Sequence, residues 1–220
     1  MGDIFANYDI LGAVWTTIKL SLLGGLGALV LGTIVAILRV SPVGILRGIG
    51  TTYVNVLRNT PLTLLMVFSV LGLSFIMQLS LSEDFAKNSF WWAVIMLGVY
   101  HAAFVCEALR SGINTVPVGQ AEAARSIGLG FGQSLREVIL PQAFRGAVAP
   151  LGSVLIALVK NTTVAAVIGV GDSAGLLQTI TENEGASLLT FFFFAMVFVV
   201  LTLPVGVWTT SLSRKLAVKR

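Results

Sequence analysis

The stretch GQAEAARSIGLGFG, Gly119 to Gly132, continues as QSLREVILP, Gln133 to Pro141, and is the most polar part of a chain that is otherwise largely apolar. Gly119 to Ile127 favours a helix, the glycines at 128, 130 and 132 break it, and Gln133 to Leu140 resumes helical character before Pro141 stops it. Two short helices are thus expected to meet at a glycine corner. They lie in a connection from Glu107 to Gly146, far longer than the roughly 2 to 8 residues that usually join bundled helices, so the segment needs a purpose. Ala121, Ala123 and Ala124 leave one helix nearly bare of side chains. That suits insertion into a groove on another protein, and it suits equally an amphipathic helix lying on a membrane surface.

Outward from this connection the chain is apolar in both directions. Of 220 residues, 56% are hydrophobic and 11% charged, which excludes an ordinary water-soluble globule. One Cys and one His exclude an internal disulfide and a Cys- or His-based metal cluster. The net charge of +4 comes from Lys and Arg placed between apolar runs, not from a stripe suited to nucleic acid. A bilayer span needs roughly 20 mostly apolar residues, and five runs qualify: about 11–38, 62–81, 89–106, 147–169 and 187–209. All should be helical, because lipid-exposed backbone must satisfy its own hydrogen bonds. The apolar start is too long for the core of a cleaved signal and has acidic flanks, so it is expected to be retained. Gly24, Gly25, Gly27 and Gly32 in the first run suit close helix packing.

Charge sets the expected orientation. Arg39, Arg47 and Arg58 fall in the first connection, Arg110, Arg125, Arg136 and Arg145 in the third, and Arg214, Lys215, Lys219 and Arg220 in the tail. The other side carries Lys87 against Asp3, Asp9, Glu83, Asp84, Asp172, Glu182 and Glu184. The positive-inside rule then predicts an external N-terminus, a cytoplasmic C-terminus and five spans.

The polar connection also carries a spaced motif: Glu122-Ala123-Ala124, Gly128, Val138, Leu140 and Pro141. It resembles the EAA signature of integral-membrane subunits of binding-protein-dependent ATP-binding-cassette importers, with Val138 in place of Ile. Arg58-Asn59-Thr60-Pro61-Leu62, Glu107 with Arg110-Ser111-Gly112-Ile113, Gly119-Gln120 and Gln142-Ala143 resemble the polar amino-acid branch of that family. Within it, Arg58 to Leu62, Arg110 to Thr115 and Lys160 to Gly171 are similar to actinobacterial glutamate-uptake permeases. The resemblance covers about Leu11 to the C-terminus. It implies an all-α, five-span type I importer permease whose cytoplasmic coupling helix lies between spans 3 and 4. Glu122, Ala123, Ala124 and Gly128, with Leu140 and Pro141 closing the motif, would dock the ATPase, and Pro141 would redirect the chain toward the next span. The implied partners are a second permease, two ATPase subunits, an extracytoplasmic substrate-binding protein and lipid, in a bacterial plasma membrane. No Gly-x-x-x-x-Gly-Lys-Ser/Thr phosphate loop occurs, so ATP and Mg are expected in the partner ATPase and no cofactor in this chain.

Within the fourth run, Lys160-Asn161-Thr162-Thr163 breaks the apolar pattern. A Lys inside a span costs roughly 2.5 to 3.5 kcal/mol on insertion scales and usually faces a cavity or a partner. These four residues are the expected substrate pathway; relatives carry Lys-Asp/Asn-Thr-Ser/Thr there. The alternative is a Lys snorkelling to the interface, with threonines bonding their own helix. The preceding face, Ser153, Val154, Ile156 and Ala157, has no carboxylate, so an acidic or neutral amino acid fits better than a cationic one. His101 and Cys106 read as packed, Lys19 as snorkelling, Trp91 and Trp92 as interfacial belt residues, and Phe191 to Phe194 as a lipid-facing or packing surface. An ion-coupled secondary transporter or channel is the main rival, and would have no use for a docking element. An intramembrane serine hydrolase needs a nucleophile and a base, and the one His has no visible Ser partner by motif.

Overall fold

The computed structural model describes residues 7–185 and 187–216; Asp3, Lys219 and Arg220, which entered the charge pattern above, lie outside them. Every regular element among the described residues is helical. We number them α1 (Ile10–Val40), α2 (Gly44–Arg58), α3 (Leu62–Val67), α4 (Phe85–Ile113), α5 (Val118–Ser126), α6 (Leu140–Asn161), α7 (Ser173–Glu184) and α8 (Leu188–Leu216). α3 widens into π-helical turns over Phe68–Ile76, a turn at Phe131–Gln133 and π-helical Ser134–Ile139 lead into α6, and a 3₁₀ segment, Thr162–Ile168, follows it.

α1 and α4 form the central seam. Gly24 faces Leu97, Gly27 faces Gly98 and Gly32 faces Ala102 and Val105, so residue numbers rise together and the two helices run parallel. A Cβ on Gly32 would stand 2.6 Å from Val105, which is why this crossing needs glycine. α6 is antiparallel to α4, with Gly112 against Ala143 and Ala147 at one end and His101 against Asn161 at the other. α8 is antiparallel to α6, with Gly152 against Thr209 and Gly206 against Ile156.

Parallel neighbours require the chain to return between them. Four helical runs are long and apolar enough to cross a membrane: Ile10–Val40, Phe85–Ile113, Phe131–Ile168 and Leu188–Leu216. The return between the first two is made by Gly44–Arg58 and Leu62–Ile76, which qualify only together and are bent by 98°. Tyr53 donates its hydroxyl to the carbonyl of Val99, the midpoint of α4, at 2.6 Å. Leu62 and Met66 then pack with Leu97, Ala93 and Trp92, toward the Phe85 end. The break at Asn59-Thr60-Pro61 therefore sits halfway along the bundle. Pro61 explains it, since the residue before a proline is held extended and Pro donates no backbone hydrogen bond.

Several expectations change. The first connection is mostly helix, and Arg58 ends that helix at mid-bundle instead of sitting in a loop at the basic end. The second apolar run is helical from Leu62 to Ile76, stopping short of Leu81. Pro141 neither stops a helix nor turns the chain: it occupies the first turn of α6, inside one helical run of 38 residues from Phe131 to Ile168. There its missing N–H removes little, and the π-helical turns before it leave its ring unobstructed. Trp92 is buried in the core beside Met66, while Trp91 is exposed as expected of a belt residue. Of the four phenylalanines, Phe191 and Phe192 face outward and Phe194 is buried, so the run serves both lipid and packing. Lys19 does not stand free: its ammonium lies over the Phe90 ring, 5.4 Å from the centroid.

Candidate functional site

The helical elements bring sequence-marked residues together in two places. The first is the corner between α4 and α6. Pro117 precedes α5, and Gly128 ends it in the left-handed region, at φ +85°. The Leu129 N–H donates to the Ala124 carbonyl at 3.1 Å and the Gly128 N–H to the Arg125 carbonyl at 2.9 Å, a Schellman closure that requires a residue without Cβ strain. Gly128 is thus a cap that shapes the corner. Within the Glu-Ala-Ala triplet, Glu122 and Ala123 are exposed but Ala124 is buried, so the chain's own structure covers one of the expected docking residues. Around the exposed pair stand apolar side chains open to contact, Val118, Ile127 and Phe131. Leu140 and Pro141 lie on α6, not on the outward corner. Gln142 ties the corner together, donating to the Val138 carbonyl at 3.0 Å and to Gln120 of α5 at 3.4 Å.

The corner is fastened to the bundle by close backbone approach. A Cβ on Gly112 would collide with the Ala143 carbonyl and lie 2.9 Å from Ala147, and one on Gly146 would collide with the Thr115 hydroxyl. Five residues before Gly112, Glu107 is ion-paired with Arg39 at the end of α1, and Arg110 lies 3.8 Å from the same carboxylate. α1, α4 and α6 are therefore joined near the root of α5.

The second place is the end of α6. Thr162 and Thr163 donate their hydroxyls to the carbonyls of Val159 and Lys160, at 2.9 and 2.8 Å, competing with the α-helical ladder where it tightens to 3₁₀. Thr162 is fully buried, so of the four expected pathway residues it is withdrawn into packing. Lys160 is exposed, and Asn161 and Thr163 are half-buried. Asn161 is held by a partner that sequence reading had assigned only to packing, His101. His101 Nδ1 lies 2.9 Å from the Leu97 carbonyl, which can only accept, so Nδ1 carries the proton. Nε2 then accepts from Asn161 Nδ2 at 3.1 Å. His101 is buried, and its ring meets Tyr100 edge-on and lies 6.1 Å from Phe104. The Arg58 guanidinium lies over the Phe104 ring, 5.7 Å from its centroid. Nothing in the sequence pairs residues 60 positions apart, although His101 and Phe104, one helical turn apart, mark the face that receives them.

The described residues hold no group of His, Cys, Asp and Glu side chains suited to a metal. What the arrangement offers is a polar interruption, with cations, halfway along an apolar bundle, and an alanine corner braced at its base.

The chain is similar to known membrane transport proteins. Residues 28–218 match the family model described as the binding-protein-dependent transport system inner membrane component. The glutamate transport system permease protein GluC of Corynebacterium glutamicum is 50% identical over 218 residues, covering 96% of each chain. The glutamate/aspartate import permease protein GltJ of Escherichia coli is 32% identical, covering 96% of this chain and 90% of its own. Among solved structures, a chain from the crystal structure of an amino acid ABC transporter with histidines superposes with a TM-score of 0.80 at 27% identity, covering 94% of this chain and 93% of that one. An inward-facing MetNI methionine ABC transporter shares the fold, with a TM-score of 0.78 at 21% identity over 95% of this chain and 96% of that one. The chain belongs to the family of inner-membrane components of binding-protein-dependent ABC transport systems, as a multi-pass, non-catalytic permease subunit whose ATP hydrolysis is performed by a partner ATPase.

Proposed function

We propose that this permease imports glutamate or another acidic or neutral amino acid across a bacterial plasma membrane. It does so as one of two permease subunits, a copy or a paralogue, working with two ATPases and an extracytoplasmic binding protein. It crosses the membrane five times, with its N-terminus outside and its C-terminus in the cytoplasm. α5 is the coupling helix: Glu122 and Ala123 meet the ATPase, Gly128 shapes their presentation, and Leu140 and Pro141 begin the helix that carries the movement inward. The chain binds no cofactor, and ATP and Mg reside in the ATPase.

Lys160 carries the substrate reading. It is an exposed ammonium at the point where α6 changes to 3₁₀, it has no carboxylate partner among the described residues, and Asn161 and Thr163 flank it. A cation placed within an apolar run is retained where it meets an anion or a water-filled path. The relatives named for glutamate and glutamate/aspartate transport support an acidic cargo.

The test is reconstitution of the permease with its ATPase and binding protein in proteoliposomes. Labelled glutamate should accumulate only with ATP, and Lys160→Ala should lower uptake at least tenfold in a complex that assembles normally. Uptake driven by an ion gradient without the ATPase would overturn the importer mechanism. Undiminished uptake by Lys160→Ala would remove that residue from the pathway.

A further inference from the structure

Two helical interruptions lie side by side at mid-bundle. One is the break at Asn59-Thr60-Pro61, immediately after Arg58; the other is the passage from α6 to 3₁₀, immediately after Lys160. They are brought together by packing, since Leu62 after the first break and Ala165 after the second share one buried cluster. They also grip the same face of α4, Arg58 through Phe104 and Asn161 through His101 one turn away. Arg58 and Lys160 are both exposed, and the ion pairs among the described residues, Arg39–Glu107, Arg110–Glu107 and Arg136–Glu137, include neither. Carboxylates on the neighbouring elements are committed elsewhere. Glu107 lies between Arg39 and Arg110, and Asp172 caps α7.

Two uncompensated cations at the depth of an apolar core ask for two negative charges. We propose that Arg58 and Lys160 are the two cationic ends of one substrate subsite, built for a dicarboxylic amino acid that places one carboxylate on each. This deepens the reading of Lys160 given above and rests on it. The guanidinium, already oriented by Phe104, suits two-pronged capture of a carboxylate; the ammonium suits point attraction. Asn161 completes the recognition. Its Nδ2 is engaged by His101, so Oδ1 is left to accept from the substrate ammonium, beside the Thr163 hydroxyl oxygen. An amino acid with a neutral side chain leaves one of the two cations without a counter-charge.

The experiment compares glutamate with glutamine, and glutamate with its γ-methyl ester. In proteoliposomes containing the full complex, R58Q should reduce the glutamate-to-glutamine uptake ratio at least tenfold, whereas R58K should hold it within about threefold of the wild type. The wild-type permease–ATPase complex, without its binding protein, should bind glutamate at least tenfold more tightly than the γ-methyl ester, a measurement that needs no variant to fold. Equal affinity for the two, an unchanged uptake ratio in R58Q, or equal loss of both amino acids would overturn the two-cation subsite. If wild-type glutamate uptake persists in those cases, the importer reading stands; a wild type that transports no acidic amino acid defeats that reading first.

Discussion

Asp172 shows how one side chain can make the stability of this protein depend on pH. It lies between the 3₁₀ segment and α7, outside the spans, where its Oδ1 accepts from the Gly175 N–H at 3.0 Å and caps the helix. Next to it, the Ser173 N–H donates to Thr17 of α1, so the N-terminal part of α1 is tied to this turn. Burial raises the Asp172 carboxyl from 3.8 to about 6, against the lowering effect of the amides of Gly175 and Ala174. The folded state therefore favours the neutral acid. Its extra stability is fully present below about pH 4 and is lost as pH rises through 6, by roughly 3 kcal/mol. Thermal unfolding of the purified permease should show a Tm that falls between pH 5 and 7, and Asp172→Asn should flatten that part of the profile while keeping the cap. A wild-type Tm that rises across the interval would contradict the assignment. Asp172 was legible in the sequence only as an acidic residue of an outer connection, because its burial depends on α1 packing from 155 residues earlier.

At the scale of elements, the seams between helices matter more than their lengths. Gly112 sits where α4 and α6 touch through backbone, and a side chain there meets the Ala143 carbonyl, which cannot step aside as a flexible side chain can. Gly112→Val should lower stability by about 1–3 kcal/mol, the usual scale of overpacking. It should also lower the ratio of substrate-stimulated to basal ATP hydrolysis, which tests the joint between α5 and the bundle directly. Full stimulation at wild-type stability would show that the crossing tolerates separation. Apolar runs located the starts of the long helices α1, α4 and α8 within four residues, because continuous hydropathy is a strong local signal, while α4 and α8 run seven residues past the expected ends. α2 was missed: Gly44, Gly48, Gly50, Thr51, Thr52 and Asn55 dilute its hydropathy, and its arginines looked like loop charge. The continuous run through Pro141 was missed for a different reason: the proline was read as a stop, whereas it stands in the first turn of α6 and the helical run continues through it. The Schellman cap was present in the letters as Gly128, four residues after Ala124, and was read as part of a docking surface because spacing does not report φ.

For the whole molecule, the parallel seam of α1 and α4 carries the topology. Parallel neighbours with one return between them, followed by two antiparallel steps, put the start of α1 and the end of α8 at opposite ends of the bundle. With the bent pair counted as one span, this pattern gives the odd number of passages that the distribution of basic residues predicts. In a Cys106→Ala background, an impermeant thiol reagent applied to intact cells should label Asn7→Cys and leave Ser211→Cys unlabelled until the membrane is opened. Labelling of both from one side would refute the five-span arrangement. The periodicity that marks spans could not reveal that Arg58 and Asn161 reach the same face of α4, through Phe104 and His101, because that meeting exists only once helices distant in the sequence are packed together.

The crossing at Gly146 has one more implication. Fifteen positions lead from it to Phe131 and fifteen to Asn161, so the stretch between those two residues reaches about 22 Å to either side of this close contact. A beam resting on its centre behaves as an equal-armed balance. Tilting one tip by a given distance shifts the other by about the same distance in the opposite sense, with no amplification. Whatever stroke reaches the alanine corner is, on this geometry, the stroke available beside the asparagine and its lysine neighbour.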